Sequence, residues 1–171
     1  MAQTSPAPLA LEIVKAEGAL LYDASGKEYI DLIGGISVAN VGHRHPKVVE
    51  AIQKQSEAYL HIMVYGEFVE SPQVQYAQLL TGHLPASLNS VYFTNSGAEA
   101  VEGAMKLAKR VTGKTQIIAF NHSYHGSTQG ALSIIGDEYW RNAYRPLLPD
   151  VLHLSYNSFD SLNEITERTA C

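Results

Sequence analysis

The sequence predicts an α/β fold, a parallel or mixed sheet flanked by helices, and three short stretches carry that prediction. The apolar run Val91-Tyr92-Phe93 breaks at Thr94-Asn95-Ser96-Gly97 and passes straight into helical periodicity, which reads as strand, turn and helix start. Gln116-Ile117-Ile118-Ala119-Phe120 follows that helix without polar alternation, as a parallel strand covered on both faces does. Val151-Leu152-His153-Leu154 repeats the pattern as a third short buried strand.

Taken in order, residues 1 to about 8 are polar and Pro-containing and carry no chemistry. Ala19-Leu20-Leu21-Tyr22 and Glu28-Tyr29-Ile30-Asp31-Leu32 flank Asp23-Ala24-Ser25-Gly26-Lys27, a hairpin signal with turn residues between two strand-like runs. The glycine-rich stretch from Gly34 to Pro46 is apolar and implies a closely packed, irregular backbone. Its two imidazoles, His43 and His45, are too few ligands for a zinc site, so no metal is expected. Pro46 suits the first position of a helix whose Val48, Val49, Ile52, Ser56, Tyr59 and Leu60 form one packing face. Ser71-Pro72 opens a second helix that Gly82 ends, and His61 to Phe68 between them is a loop.

The helix after Ser96 places Ala100, Val101, Ala104, Met105, Leu107, Ala108 and Val111 on a buried face. Lys106 and Lys109 are expected to pair with Glu102 and Glu99, and Gly113 is expected to cap the end in a left-handed conformation. Arg141 to Pro149 reads as a loop, and Asn157-Ser158 as the cap of a last helix through Phe159, Leu162 and Ile165 to about Arg168. Thr169-Ala170-Cys171 looks like the approach to a further strand.

A chain of 171 residues holds one ordinary domain with a real core. A net charge of −5 and only 17% charged residues leave no basic footprint for nucleic acid and no polybasic membrane anchor. With no apolar run of transmembrane length and one cysteine, Cys171, the expectation is a cytoplasmic protein.

The chemistry concentrates at the turn after Phe93. The first amides of a helix lack intrahelical partners and the macrodipole adds about half a positive charge there. Ser96 contributes a hydroxyl, Gly97 lets an anion reach the backbone and Ala98 is small enough not to block it, so the turn can cradle a phosphate. The same tetrapeptide also suits a plain N-cap by Ser96 or Asn95. Because ligands of parallel sheets lie beyond the carboxyl ends of the strands, Asn121-His122-Ser123-Tyr124-His125-Gly126-Ser127-Thr128 should open on the same crevice. Phosphate donors beside an aromatic platform suit a flat, phosphorylated cofactor.

These residues, Phe93 to Glu102 followed by Tyr124-His125-Gly126-Ser127-Thr128, resemble the class III branch of the pyridoxal-phosphate aminotransferases, of fold type I. The resemblance includes Gly35 to Pro46 and runs in order from about Leu21 onward. It implies that residues 1–60, hairpin plus helix, belong to a small domain and that residues 61–171 are the first portion of a cofactor-binding large domain. It implies pyridoxal 5'-phosphate as cofactor, its phosphate held by Ser96, Gly97 and Ala98, its ring under Tyr124, with His125 and Gly126 against the same pocket. It places Gly35, Ile36 and Ser37 near the substrate end of an active site, that of this subunit or of a partner; Tyr65 either reaches a substrate pocket or packs under its loop.

The implied reaction is transfer of a terminal amino group, from an amine or an ω-amino acid such as an acetylornithine-like donor, to a 2-oxo acid, by a homodimer. A mutase or racemase of the same family and a non-catalytic phosphate-binding or assembly module are the alternatives. Such a transaminase needs a Schiff-base lysine and an acid for the pyridine nitrogen. None of Lys15, Lys27, Lys47, Lys54, Lys106, Lys109 and Lys114 occupies the family's position, so the chain reads as an amino-terminal portion with no catalytic residue of its own and that lysine beyond Cys171.

Overall fold

The computed structural model describes residues 5–63 and 66–171. They form two compact units, Met1–Val74 and Gln75–Cys171.

The first unit is built on an antiparallel three-stranded sheet in the order β1 (Ile13–Glu17), β2 (Leu20–Asp23), β3 (Glu28–Ile30). The expected hairpin is β2 and β3, with Leu20 opposite Ile30 and Tyr22 opposite Glu28. Its turn is made by Asp23, whose carboxylate accepts from the Ser25 amide (2.8 Å) and hydroxyl (2.6 Å), the Lys27 amide (3.0 Å) and the Tyr29 hydroxyl (2.8 Å). The Ser25 and Tyr29 hydroxyls bring the Asp23 pKa down to about 2. Beyond β3, Asp31 does the same for the next segment: its buried carboxylate, 8% exposed, accepts from the Ile33 (3.0 Å) and Gly34 (2.9 Å) amides and meets His43 Nε2 at 2.6 Å.

The segment so tied is a single helical turn, α1 (Gly34–Ser37), in which Gly34, Gly35, Ile36 and Ser37 all have φ between 55° and 63°. It therefore winds left-handed, a conformation that brings Cβ against the following carbonyl. Irregular backbone is what the sequence predicts here, but close packing is not what forms: Ile36 is 84% exposed, and Val38 and Val41 are also exposed. The next helix, α2 (Pro46–Ala58), starts at Pro46 as expected. Its apolar Val48 and Ile52, and Leu60 just beyond its end, are nonetheless exposed, because no element among the described residues covers them.

After α3 (Ser71–Gly82), the core of the second unit forms around α4 (Gly97–Thr112), β4 (Ile117–Phe120) and β5 (Val151–Leu154). β4 and β5 pair in parallel from Ile117–Val151 to Phe120–Leu154. On the other side of β4 the Ala170 amide donates to the Gln116 carbonyl (2.8 Å) and the Ile118 amide to the Cys171 carbonyl (2.8 Å), so β4 is central and Thr169–Cys171 does lead into a strand-like pairing. Met105, Ile117, Ala119 and Ile134 form the core, with Val101, Val151 and Ala170 against it. Gly113 caps α4 at φ 69°, as its residue type predicts.

Three expectations fail in this unit. Val91–Phe93 runs without a ladder: a strand needs a neighbour, none pairs with it among the described residues, and Phe93 instead stacks on Tyr76 at 5.6 Å. The helix after Asn157 shrinks to a 3-10 turn, Asp160–Glu164, because Asn157 is left-handed (φ 57°), the Ser161 hydroxyl bonds back to the Ser155 and Ser158 carbonyls, and Phe159 and Ile165 stay largely exposed. Only one stripe of α4 is covered: Met105 is buried and Val101 partly so, whereas Leu107 and Val111 are exposed. Two short helices were not anticipated, α5 (Gln129–Ser133), which is almost wholly buried, and α6 (Glu138–Arg141).

Replacing Ile36 by Gly removes a left-handed penalty of about 1–2 kcal/mol against an unfolded-chain entropy of about 0.4–1 kcal/mol, so the variant should be more stable by up to about 1 kcal/mol in urea unfolding. Loss of stability would show that α1 is not left-handed in solution.

Candidate functional site

The site is assembled at the start of α4. Ser96 is its N-cap, extended at φ −151°, and its Oγ accepts from the Glu99 amide at 3.1 Å. Glu99 reaches back in turn, its carboxylate accepting from the Asn95 amide at 2.7 Å, a variant of the capping box shifted by one residue. The cap consumes a lone pair of Ser96 and leaves its proton free, so capping and anion binding are compatible roles for one hydroxyl. Neither the Gly97 nor the Ala98 amide donates to a protein group among the described residues. Those two N–H groups are the orphan donors that a helix start presents, at the positive end of a 16-residue dipole.

The facing wall is the turn after β4. Gly126, at φ 125°, packs so tightly that a Cβ there would stand 2.6 Å from Ala98 Cβ and 3.0 Å from Ala98 Cα. This contact lays the aromatic turn directly on the helix start. Ser96, Gly97, Ala98, Val101, Tyr124, His125, Gly126, Ser127 and Thr128 line one cleft of about 750 Å³. All six residues assigned from the sequence to one ligand are therefore brought together, and Val101, Ser127 and Thr128 join them. Ile36 and Ser37 lie in the first unit, on α1, and Tyr65 falls outside the described residues.

Within the wall, Tyr124 is 73% exposed and its hydroxyl lies 3.2 Å from Ser127 Oγ, which restrains the ring from its far end. His125 Nε2 lies 3.0 Å from Ser123 Oγ, whose own proton goes to the Phe120 carbonyl at 2.5 Å. Ser123 is thus the acceptor and His125 the donor, so a neutral His125 carries its proton on Nε2 and keeps Nδ1 as an acceptor.

Glu102, one turn along α4 from Ala98, holds the end of the wall. Its Oε1 accepts from the Thr128 hydroxyl (2.6 Å) and from the Gly130 (2.8 Å) and Ala131 (3.1 Å) amides at the start of α5. The Thr128 hydroxyl, and after it the Ala131 and Gly130 amides, hold the Glu102 carboxyl below its ordinary 4.5. The expected pairing of Glu102 and Glu99 with Lys106 and Lys109 does not form: the Glu102 carboxylate is taken by backbone amides, which are fixed in place where a lysine tip is not, and Glu99, itself bonded to the Asn95 amide, stands ten residues from Lys109, about 15 Å along the helix. No local sequence pattern signals this tie, since its partners are 26 to 29 residues away.

The donor set fits a phosphate group: two free amides and a hydroxyl at a helix start, and open space at Gly97, where an added Cβ would meet nothing within 4 Å. Among the described residues no lysine lines the cleft. Among the described residues no group of acidic, His or Cys side chains is placed to hold a metal ion, and no helix is long and apolar enough to cross a membrane.

Known proteins similar to this chain fall in one family. The profile of the aminotransferase class-III family matches residues 1–171. An acetylornithine aminotransferase of Methanopyrus kandleri is 43% identical over 154 residues, covering 89% of this chain and 39% of that protein. Among solved structures, an adenosylmethionine-8-amino-7-oxononanoate aminotransferase of Methanocaldococcus jannaschii superposes with a TM-score of 0.86 at 30% identity over 96% of this chain and 40% of its own. The ornithine aminotransferase of Toxoplasma gondii, whose active site holds pyridoxal phosphate at partial occupancy, gives 0.80 at 27% identity over 98% of this chain and 41% of its own. The chain spans about two fifths of the length of the relatives it matches.

Gly126→Ala must push two backbones apart and should destabilise the second unit by about 1–3 kcal/mol in chemical unfolding, whereas Gly97→Ala, with nothing to meet, should leave it unchanged or slightly more stable. Glu102 carries a lowered carboxyl pKa in the folded chain, so its contribution is full above the unfolded value and is lost as pH falls through the lowered one. Hydrogen exchange at the Gly130 and Ala131 amides should accelerate as pH drops below 4.5, after correction for intrinsic rates, and Glu102→Gln should abolish that acid limb.

Proposed function

The chain belongs to the class-III aminotransferase family, and from that premise we propose that it forms the amino-terminal part of a pyridoxal-phosphate transaminase whose cofactor binds between the start of α4 and the Tyr124–Thr128 turn. The architecture is that of fold type I. The observation that carries the reading is the convergence of the free Gly97 and Ala98 amides and the Ser96 hydroxyl on the cleft that Tyr124 lines. In this reading the α4 start grips the phosphate, Tyr124 lies over the pyridine ring, and His125 and Gly126 close the pocket wall. Bound there, the cofactor supplies the electron sink that amino-group transfer requires.

The residues of this chain bind and orient, and the lysine and the ring-nitrogen acid of the complete enzyme come from outside it. The donor class is a terminal amine or ω-amino acid, acetylornithine-like as in the relatives' names, and the acceptor is a 2-oxo acid. Ile36, Ser37 and Tyr65 belong to the substrate side, residues 1–60 to a smaller domain, and the working assembly is a cytoplasmic homodimer.

The chain alone should bind pyridoxal 5'-phosphate reversibly and with clear preference over unphosphorylated pyridoxal, read by absorbance. Gly97→Val should weaken that binding at least about tenfold with the apo unfolding midpoint little changed, since a branched side chain at the helix start blocks the anion while its Cβ meets no protein atom within 4 Å. Equal binding of the two aldehydes, or retention of the cofactor by Gly97→Val, would defeat the proposal. Stoichiometric cofactor fixed to one lysine of this chain by borohydride would defeat the assignment of that lysine to another part of the protein.

A further inference from the structure

We infer that Glu102 is the positioning residue of this site: its carboxylate sets where the Tyr124–Thr128 turn stands relative to the anion donors of α4. The inference rests on the cleft being the cofactor site proposed above.

Ala98 and Glu102 are four residues apart on α4, hence on one face and about 6 Å apart along its axis. Gly126 and Gly130 are also four apart, and each meets its counterpart with no room for a side chain: a Cβ on Gly126 would lie 2.6 Å from Ala98 Cβ, and one on Gly130 would overlap the Glu102 carboxylate. The turn thus runs along the helix with one tie at each end. The first tie is steric and sets only how close the two chains come. The second is directional, because one oxygen, Oε1, receives the Thr128 hydroxyl and two successive amides of α5. Ser127 and Thr128 stand between the ties, and Ser127 in turn restrains the Tyr124 hydroxyl.

The rest of α5 cannot drift, since Gly130 to Ser133 are buried and the Ser133 hydroxyl is engaged by the Leu148 amide at 2.9 Å. A carboxylate suits the point better than a neutral acceptor, because it faces the amide-bearing end of a helix and each bond to it is charge-assisted. Glu102 itself is absent from the cleft lining, so it touches neither phosphate nor ring and acts only through the turn it holds.

The position of the turn matters to a ligand with a ring and not to a bare anion, which separates positioning from plain stability. In the 171-residue chain, affinities for pyridoxal 5'-phosphate and for inorganic phosphate are measured for wild type, Glu102→Ala, Glu102→Gln and Gly130→Ala. Glu102→Ala should weaken the cofactor about tenfold and phosphate by no more than about twofold, and Glu102→Gln, which keeps an acceptor in place, should recover most of the loss. Gly130→Ala should behave like Glu102→Ala even though alanine is the better helix former, because its methyl displaces the carboxylate.

Unchanged cofactor-to-phosphate affinity ratios in the variants, whether neither ligand weakens or both weaken together, would overturn the inference and reduce Glu102 to a structural cap. A wild-type chain that binds neither ligand would instead overturn the functional reading, and the inference with it.

Discussion

The structure of the second unit turns on a contact in which there is room for a methyl and nothing more, that between Ala98 and Gly126. A larger residue at either place would lift the turn after β4 off the start of α4. The free amides of Gly97 and Ala98 would then open on solvent rather than on a cleft with an aromatic wall. Close approach needs the glycine twice over, since Gly126 also adopts φ 125°, which side chains disfavour. The sheet serves this contact: Met105 and Val101 seat α4 on Ile117 and Ala119, and the same β4 delivers the chain to the turn. Both walls of the cleft are therefore anchored to one patch of core.

What was legible in the sequence is what depends on neighbours a few residues away. The start of α4 at Ser96-Gly97, its left-handed stop at Gly113, the Asp23 turn, Pro46 and the runs that became β4 and β5 are all local chemistry, and all form where the residues place them. That Ser96, Gly97, Ala98, Tyr124, His125 and Gly126 share one cleft was legible for the same reason, because two short motifs carry them. Elements that need a distant partner were not. Among the described residues Val91–Phe93, with the composition of a strand, has no ladder, and the segment after Asn157, with the period of a helix, keeps Phe159, Leu162 and Ile165 exposed. Periodicity reports which face would pack, and says nothing of whether a partner is present.

Long-range polar ties were the least legible class and do much of the positioning. Glu102 looks in sequence like one half of an i,i+4 surface pair, and Asp31 like the last residue of a strand. Each instead brings its carboxylate to two successive or nearly successive backbone amides, Gly130 and Ala131 in one case, Ile33 and Gly34 in the other. The two are alike in consequence as well as in form. A carboxylate on a regular element, or one residue beyond it, fixes an irregular segment: α5 and the turn before it, and the left-handed α1.

That likeness bears on α1. Four successive left-handed residues, two of them not glycine, are unfavourable by about 1–2 kcal/mol for each L-residue, and backbone strain of this kind persists only where the surroundings over-determine it. Here the surroundings are the Asp31–His43 contact at 2.6 Å and the paired amides and carbonyls of Gly18 and His43 at 3.0 and 2.8 Å, which clamp the segment from both ends. The exposed Ile36 side chain does not offset the strain by burial, so the turn is not there to complete the core of its own unit. A strained turn that displays an apolar side chain to solvent, held by a buried carboxylate, is better suited to meeting a ligand or another chain than to packing.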